Sequence, residues 1–170
     1  MKKIITRLFI LGALIALIAL LPAGAAAQQL DARQRNAETV VADGLAQLPA
    51  ATPAVFNEVM GELAATGSAG VEMIAGMLTP ADKGKKATLE YALNGITAYA
   101  TAPGNEALCA DVRKGLVRAI ERCADNANRA FLFSQLQLCS AAEDAAWILP
   151  YLDDSYLSDY AIRALISDRK

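Results

Sequence analysis

The chain has 170 residues, with 16 Lys plus Arg, 18 Asp plus Glu, no His and a formal charge of −2 at pH 7. Without an imidazole it cannot build a Ser-His-Asp triad, a Cys-His pair, a His-ligated zinc site or an HExxH metalloprotease motif. The length allows one core and leaves no room for two ordinary domains.

Residues 1–27 are predicted to be a signal peptide. Lys2, Lys3 and Arg7 precede an apolar run over 8–21, and a group of small residues ends at Ala27. A basic start, a short apolar stretch and a small-residue cleavage site are typical of secretory leaders. The run is also shorter than the roughly 20 residues that span a bilayer, although an uncleaved anchor is the alternative. We expect cleavage after Ala27 and a periplasmic or secreted product.

The mature chain is predicted to be acidic. Cleavage removes three basic residues and no acidic one, which leaves 13 basic against 18 acidic residues and a net charge of −5. A nucleic-acid surface needs clustered Lys and Arg, and the only dense run is Lys83, Lys85 and Lys86. We expect those lysines to be solvated, and nucleic acid is an unsuitable partner.

Prolines and glycines divide residues 28–100 into four amphipathic helices. The first runs from about Arg33 to Leu48, the second opens with Thr52 as N-cap and Pro53, and Gly67 ends the second. The predicted apolar stripes are Ala37, Val41, Leu45 and Leu48; Phe56, Val59, Met60 and Leu63; Val71, Ile74 and Leu78; and Leu89, Ala92, Leu93, Ile96 and Ala100.

Four more helices are predicted after the Pro103-Gly104 break. Asp125 is positioned to cap the sixth helix, and Ser140 with Glu143 forms a potential capping box for the seventh. The eighth spans about 157–167. The predicted inward residues are Leu108, Val112, Leu116 and Ile120; Phe131, Leu132, Leu136 and Leu138; and Ile148, Leu149 and Leu152.

The predicted fold is all-α. No segment alternates apolar and polar residues with β-branched enrichment, which is the pattern of a half-buried strand. The connections between helices are short, which favours antiparallel helical hairpins. We therefore expect four stacked hairpins.

Three cysteines leave at most one intramolecular disulfide. Cys109 and Cys123 are 14 residues apart on one predicted helix, a separation of about 21 Å that no disulfide bridges. Cys123 and Cys139 would lie at opposite ends of neighbouring helices. Cys109 and Cys139 could face each other, and the alternative is that all three are small buried apolar residues.

Few residues suggest a polar site. Asp153, Asp154 and Asp159 surround one turn, where carboxylates bind calcium or act as acids and bases. The group lacks the Gly and closing Glu of a calcium loop, and capping of the eighth helix is the simpler interpretation. Glu121 is a solitary helical carboxylate. We assign no catalytic residue, metal ligand or cofactor.

The tyrosines and the only tryptophan all follow residue 90. Some are four residues apart and can share a helical face. Tyr and Trp combine an apolar body with a polar tip, which suits core edges as well as recognition surfaces. The candidate partner-binding aromatics are Tyr91, Tyr99, Trp147, Tyr151, Tyr156 and Tyr160.

A motif recurs near the start of the second helix of several predicted hairpins. It is an aromatic residue followed by aliphatic ones, at Tyr91, Phe131 and Tyr160, and the closing stretch carries Arg163 and Ala164. With these features, residues 68–170 resemble HEAT-type repeats of secreted bacterial proteins. The resemblance implies an armadillo-like α-solenoid, with residues 28–67 as N-terminal capping helices. Proteins of this kind are often longer, and some carry a C-terminal concanavalin-like domain similar to sugar hydrolases.

These observations predict a non-catalytic, exported α-solenoid that serves as a protein-binding or scaffold module. The alternative is an accessory region of a secreted carbohydrate-active enzyme whose catalytic domain lies beyond this chain. A solenoid needs a polar cap at each end, and the last helix stops just after Leu165 and Ile166. We therefore expect a truncated C-terminal repeat, with an apolar end at Leu157, Leu165 and Ile166 that self-associates or binds the next unit.

Overall fold

The computed structural model describes residues 36–80 and 86–167. All of these residues belong to one unit of the chain, Asn36–Lys170. The predicted signal peptide with its predicted cleavage site, Lys83 and Lys85 of the lysine run and the last three residues lie outside the described residues.

The described residues form helices and contain no strand, which confirms the all-α prediction. A 3-10 turn precedes the seventh helix and another follows it. The helices are α1 over 36–46, α2 over Pro53–Ala65, α3 over Gly67–Gly76, α4 over Lys86–Ala100, α5 over Glu106–Arg122, α6 over Asn126–Cys139, α7 over Ala145–Ile148 and α8 over Ser158–Ser167, and the 3-10 turns are Ala142–Asp144 and Leu149–Asp153.

The helix ends follow the predicted signals. Thr52 caps α2 by accepting a hydrogen bond from the backbone N–H three residues later at 3.3 Å, and Pro53 occupies the first turn. Asp125 caps α6 in the same way at 2.8 Å. Gly67 separates α2 from α3 with a φ of 62°, in the left-handed region that glycine tolerates.

Helices that are two apart in the chain pack against each other. α2 contacts α4, α4 contacts α6, α6 contacts α8, and α3 contacts α5. α3 and α5 approach closely because Gly115 has no side chain: a Cβ there would lie 2.8 Å from the carbonyl oxygen of Ser68. Glu72 on α3 also accepts hydrogen bonds from Arg118 and Arg122 on α5. Such packing is compatible with a helical repeat.

One apolar core extends through these helices. It confirms most of the predicted stripes, but Leu138 and Leu149 are each 53% exposed and their predicted burial is wrong. α6 buries Leu136 and Cys139, and Leu138 projects from another side of that helix. Leu149 is the first residue of a 3-10 turn, whose three residues per turn place its side chain off the stripe predicted for an α-helix. The fully buried large side chains are Met60, Leu63, Ile74, Leu93, Ile96, Leu116, Ile120, Leu132, Phe133, Leu136, Ile148 and Leu157.

The predicted seventh helix is present, but most of it is 3-10 rather than α-helical. Only Ala145–Ile148 is α-helical, between the two 3-10 turns. We refer to the whole stretch as the 142–153 segment. Its side chains contact Arg113 and Glu121 on α5 and Phe133 on α6.

The predicted capping box of Ser140 and Glu143 is wrong. The Ser140 hydroxyl donates instead to a backbone carbonyl of α8 at 2.8 Å, and Glu143 pairs with Arg113 on α5. Asp144 takes the capping role, because its carboxylate accepts the Ala141 N–H at 2.9 Å.

In the part of the chain that the structure describes, no helix is long and apolar enough to cross a membrane.

Candidate functional site

Three aromatic rings cluster where the 142–153 segment meets α6. Phe133 is fully buried on α6, and the partly exposed Trp147 stacks on it with centroids 5.8 Å apart. The ring of the partly exposed Tyr151 meets Phe133 edge-on, with centroids 5.0 Å apart, and lies tilted against Trp147, with centroids 5.3 Å apart. We call these three residues the aromatic patch. The structure thus brings together two of the aromatics singled out from the sequence, Trp147 and Tyr151.

Two charged residues border the aromatic patch. Trp147 Nε1 donates a hydrogen bond to Glu121 Oε1 at 2.7 Å, so Glu121 orients the indole. Burial raises the pKa of Tyr151, while the positive charge of Arg129 opposes this rise and Glu121 adds to it. Arg129 is itself anchored, because its guanidinium donates to the Cys123 carbonyl. The result is an amphipathic surface with a neutral phenol and one charge of each sign at its edge.

The other four predicted aromatics have different surroundings. Tyr91 meets an aromatic ring of α2 edge-on at 5.7 Å. Tyr99 covers Gly61, where a Cβ would lie 3.0 Å from the tyrosine hydroxyl. Tyr160 is partly buried against the core, and Tyr156 is 51% exposed. The six residues therefore do not form one continuous stripe.

The acidic turn before α8 has a structural role. Asp154 Oδ1 accepts the N–H groups of Tyr156 at 2.8 Å and Leu157 at 3.0 Å, as expected of a helix cap. Asp153 and Asp159 are exposed. Within residues 36–80 and 86–167, no three His, Cys, Asp or Glu side chains are grouped to hold a metal ion.

The predicted apolar end at α8 is partly wrong. Leu157 is fully buried and Leu165 packs against the core, because both lie on the side of the chain that carries the buried Ala161. Ile166 is exposed as predicted, at 57%, and Ile162 one turn earlier is 45% exposed. The exposed aliphatic surface is therefore the Ile162–Ile166 pair.

The sequence analysis missed a buried ion-pair cluster. Arg113 on α5 is 8% exposed, its Nη1 donates to Asp144 Oδ1 at 3.0 Å, and its Nη2 pairs with Glu143. Burial acts to lower the pKa of Arg113, but the two carboxylates outweigh it and the pKa is raised. Its spacing in the sequence could have indicated the burial of Arg113, because it lies three residues before Leu116 and seven before Ile120, on the buried face of α5. This cluster ties the 142–153 segment to α5 and so positions the aromatic patch.

A cleft of about 460 Å³ lies where the carboxyl ends of α3 and α5 meet the start of α6. Its walls are mainly small or apolar, and Asn128 lines it while being 1% exposed. Asn128 Nδ2 donates to the Thr79 carbonyl at 3.2 Å, whereas Oδ1 is buried without a hydrogen-bond partner among the described residues. The cleft is a second concave surface, with one unused acceptor.

Comparison of the chain with protein-family models, with curated proteins and with solved structures finds no match. The function of the aromatic patch therefore has to be argued from its own chemistry. Its two partly exposed rings and fixed rim charges suit recognition of a mixed apolar and polar surface.

Proposed function

We propose that the mature chain is a non-catalytic, exported α-solenoid that binds a protein partner through the aromatic patch. The observation that carries this proposal is that Trp147 and Tyr151 are held on the buried Phe133 with part of each ring exposed. Rigid Trp and Tyr side chains are the most frequent anchors of protein interfaces, because they bury a large area at a small entropic cost. Glu121 and Arg129 supply a polar rim.

Two observations support the architecture and the compartment. Packing between helices that are two apart is what stacked HEAT-type repeats require, because each unit buries its apolar face on its neighbours. The leader-like residues 1–27 support export. Mass measurement of protein recovered from the periplasm tests export, with Gln28 as the expected first residue; an intact leader on membrane-bound protein contradicts it.

Site-specific photo-cross-linking in cells tests the partner proposal. A photoreactive amino acid replaces Tyr151 in one variant and Tyr91 in the control, where an exposed tyrosine packs edge-on against a ring. We expect one protein to be cross-linked from position 151 and not from position 91. Equal cross-linking from both positions, or none from 151, contradicts the proposal.

Purified partner then provides a quantitative test. Trp147→Ala should weaken binding by at least about tenfold, the loss typical of an interface anchor, whereas Tyr91→Ala should leave affinity unchanged. Circular dichroism verifies that each variant is folded. Binding of oligosaccharides to the same patch, with no protein partner, would instead favour the accessory region of a carbohydrate-active enzyme.

Self-association is a separate part of the proposal. The Ile162–Ile166 pair on α8 is exposed, and contiguous aliphatic surface favours association. Sedimentation of the mature chain should show a mass that rises with concentration, and the chain should bind a hydrophobic dye. The double change Ile162→Ser and Ile166→Ser should suppress both. A monomer without dye binding contradicts this part and leaves the aromatic patch unaffected.

A further inference from the structure

We infer that Cys109 and Cys139 form a dithiol site that takes an intramolecular disulfide from an external disulfide, either glutathione disulfide or an oxidised dithiol oxidoreductase. The inference concerns the covalent chemistry of the helix α5 and α6 pair. It does not depend on the partner-binding proposal.

The fold brings the two thiols together. Cys109 lies in the first turn of α5 and Cys139 is the last residue of α6, and these helices pack on each other. Cys139 belongs to the core and Cys109 packs against it, and each thiol contributes to the pKa of the other. The Cys139 thiol itself donates to the Gln135 carbonyl at 3.9 Å. The ion pair between Arg113 and Asp144 independently holds the same two regions together, one turn after Cys109 and five residues after Cys139.

The two cysteines differ in access. Cys109 is partly exposed, whereas Cys139 is 7% exposed. Burial raises the pKa of both thiols, and the neighbouring Cys139 and Arg113 offset part of the rise at Cys109. Cys109 is therefore the residue that an external disulfide reaches and that ionises first, and Cys139 is the resolving thiol.

The exchange balances in two steps. The Cys109 thiolate attacks one sulfur of the external disulfide, which forms a mixed disulfide and releases one thiolate. Cys139 then loses its proton and attacks Cys109 Sγ. The Cys109–Cys139 bond forms as the mixed-disulfide bond breaks, and the departing thiolate takes up a proton and leaves as the second thiol. Two thiols of this chain and one external disulfide become one disulfide of this chain and two external thiols.

Cys123 is the internal control. It ends α5, 14 residues from Cys109, and its thiol donates to the Asp125 carbonyl at 3.4 Å. A helix advances about 1.5 Å per residue, so Cys123 cannot reach Cys109 without unfolding. It should remain a free thiol.

Peptide mapping of the mature protein tests the inference. After incubation with glutathione disulfide and alkylation, trypsin releases the three cysteines on separate peptides: 87–113, 123–129 and 130–163. We expect 87–113 joined to 130–163, with 123–129 alkylated. Alkylation of all three cysteines, or a bridge to 123–129, overturns the inference.

Single variants test the order of attack. Cys139→Ser should accumulate one glutathione on Cys109, because the resolving thiol is missing, and Cys109→Ser should accumulate little, because Cys139 is buried. Cys123→Ser should still form the bridge.

Thermal unfolding provides an independent test. The bridge should raise the melting temperature of wild-type protein by about 10 °C over the reduced form. Equal melting temperatures of verified oxidised and reduced samples would show that the thiols do not meet in the native fold.

Discussion

Helices α4 to α6 and the 142–153 segment are neighbours that differ in how local sequence relates to conformation. The three helices have regular apolar stripes, Asp125 caps the third of them, and their structure follows these local patterns. The segment also has helical spacing, but it forms a four-residue helix between 3-10 turns. It packs against α8, and side-chain contacts with Arg113 on α5 and Phe133 on α6 also hold it. The difference shows that a helical pattern decides the local structure only where no stronger distant interaction competes.

The largest expected effect comes from removing the buried ion pair of the segment. Asp144→Ala should lower the free energy of unfolding by about 3–5 kcal/mol, because it leaves the buried Arg113 with only the exposed Glu143 and also removes a turn cap. Asp111→Ala is the matched control: its pair with Lys114 is more than half exposed, and the loss should be below about 1 kcal/mol. Urea denaturation measures both. Equal losses would mean that local pattern, not the ion pair, holds the segment.

Core truncations compare the two regions directly. Leu116→Ala in α5 and Ile148→Ala in the segment should each cost about 2–5 kcal/mol, because both side chains are at most 1% exposed. We expect the larger loss at Leu116, since a short segment can collapse into a cavity more readily than a long helix. Leu138→Ala, at a 53% exposed position of α6, should cost less than about 0.5 kcal/mol. A loss at Leu138 comparable to that at Leu116 would contradict the described helix faces.

The close approach of α3 and α5 can be tested at a single methyl group. Gly115→Ala should destabilise the protein by about 1–3 kcal/mol, because the new Cβ would meet the Ser68 backbone. Gly76→Ala meets nothing within 4 Å, and it should be neutral or stabilising by up to about 1 kcal/mol. Thermal unfolding of both variants provides the measurement. If Gly115→Ala is stabilising, the two helices do not approach as described.

The smallest expected effect is a pH dependence at Glu143. Its hydrogen bond to Arg113 lowers its pKa below the ordinary 4.5, so the folded state favours the charged form. The resulting stability is present above pH 4.5 and is lost as the pH falls through the lowered pKa. The effect is small because Glu143 is 71% exposed. Glu143→Gln should therefore lose less stability than the wild type between pH 7 and pH 3, and identical losses would contradict this pairing.

The predictable part of the structure is the part set by neighbours in sequence. Thr52, Asp125 and Gly67 marked helix ends correctly because caps and left-handed glycines act over three or four residues. The Ser140 and Glu143 pattern failed because Arg113, about 30 residues away, captures Glu143. The aromatic patch was half predictable: spacing linked Trp147 and Tyr151, but their support by Phe133 and Glu121 depends on how the helices pack.

The position of Trp147 makes the molecule its own optical probe. It is the only tryptophan in the chain, and its indole stacks on Phe133 and donates to Glu121. Intrinsic fluorescence excited at the tryptophan band therefore reports the docking of the 142–153 segment alone, while far-ultraviolet dichroism averages over every helix. A fluorescence transition that precedes the dichroism transition during denaturation would show that the segment detaches before the helices unfold, without any label being attached.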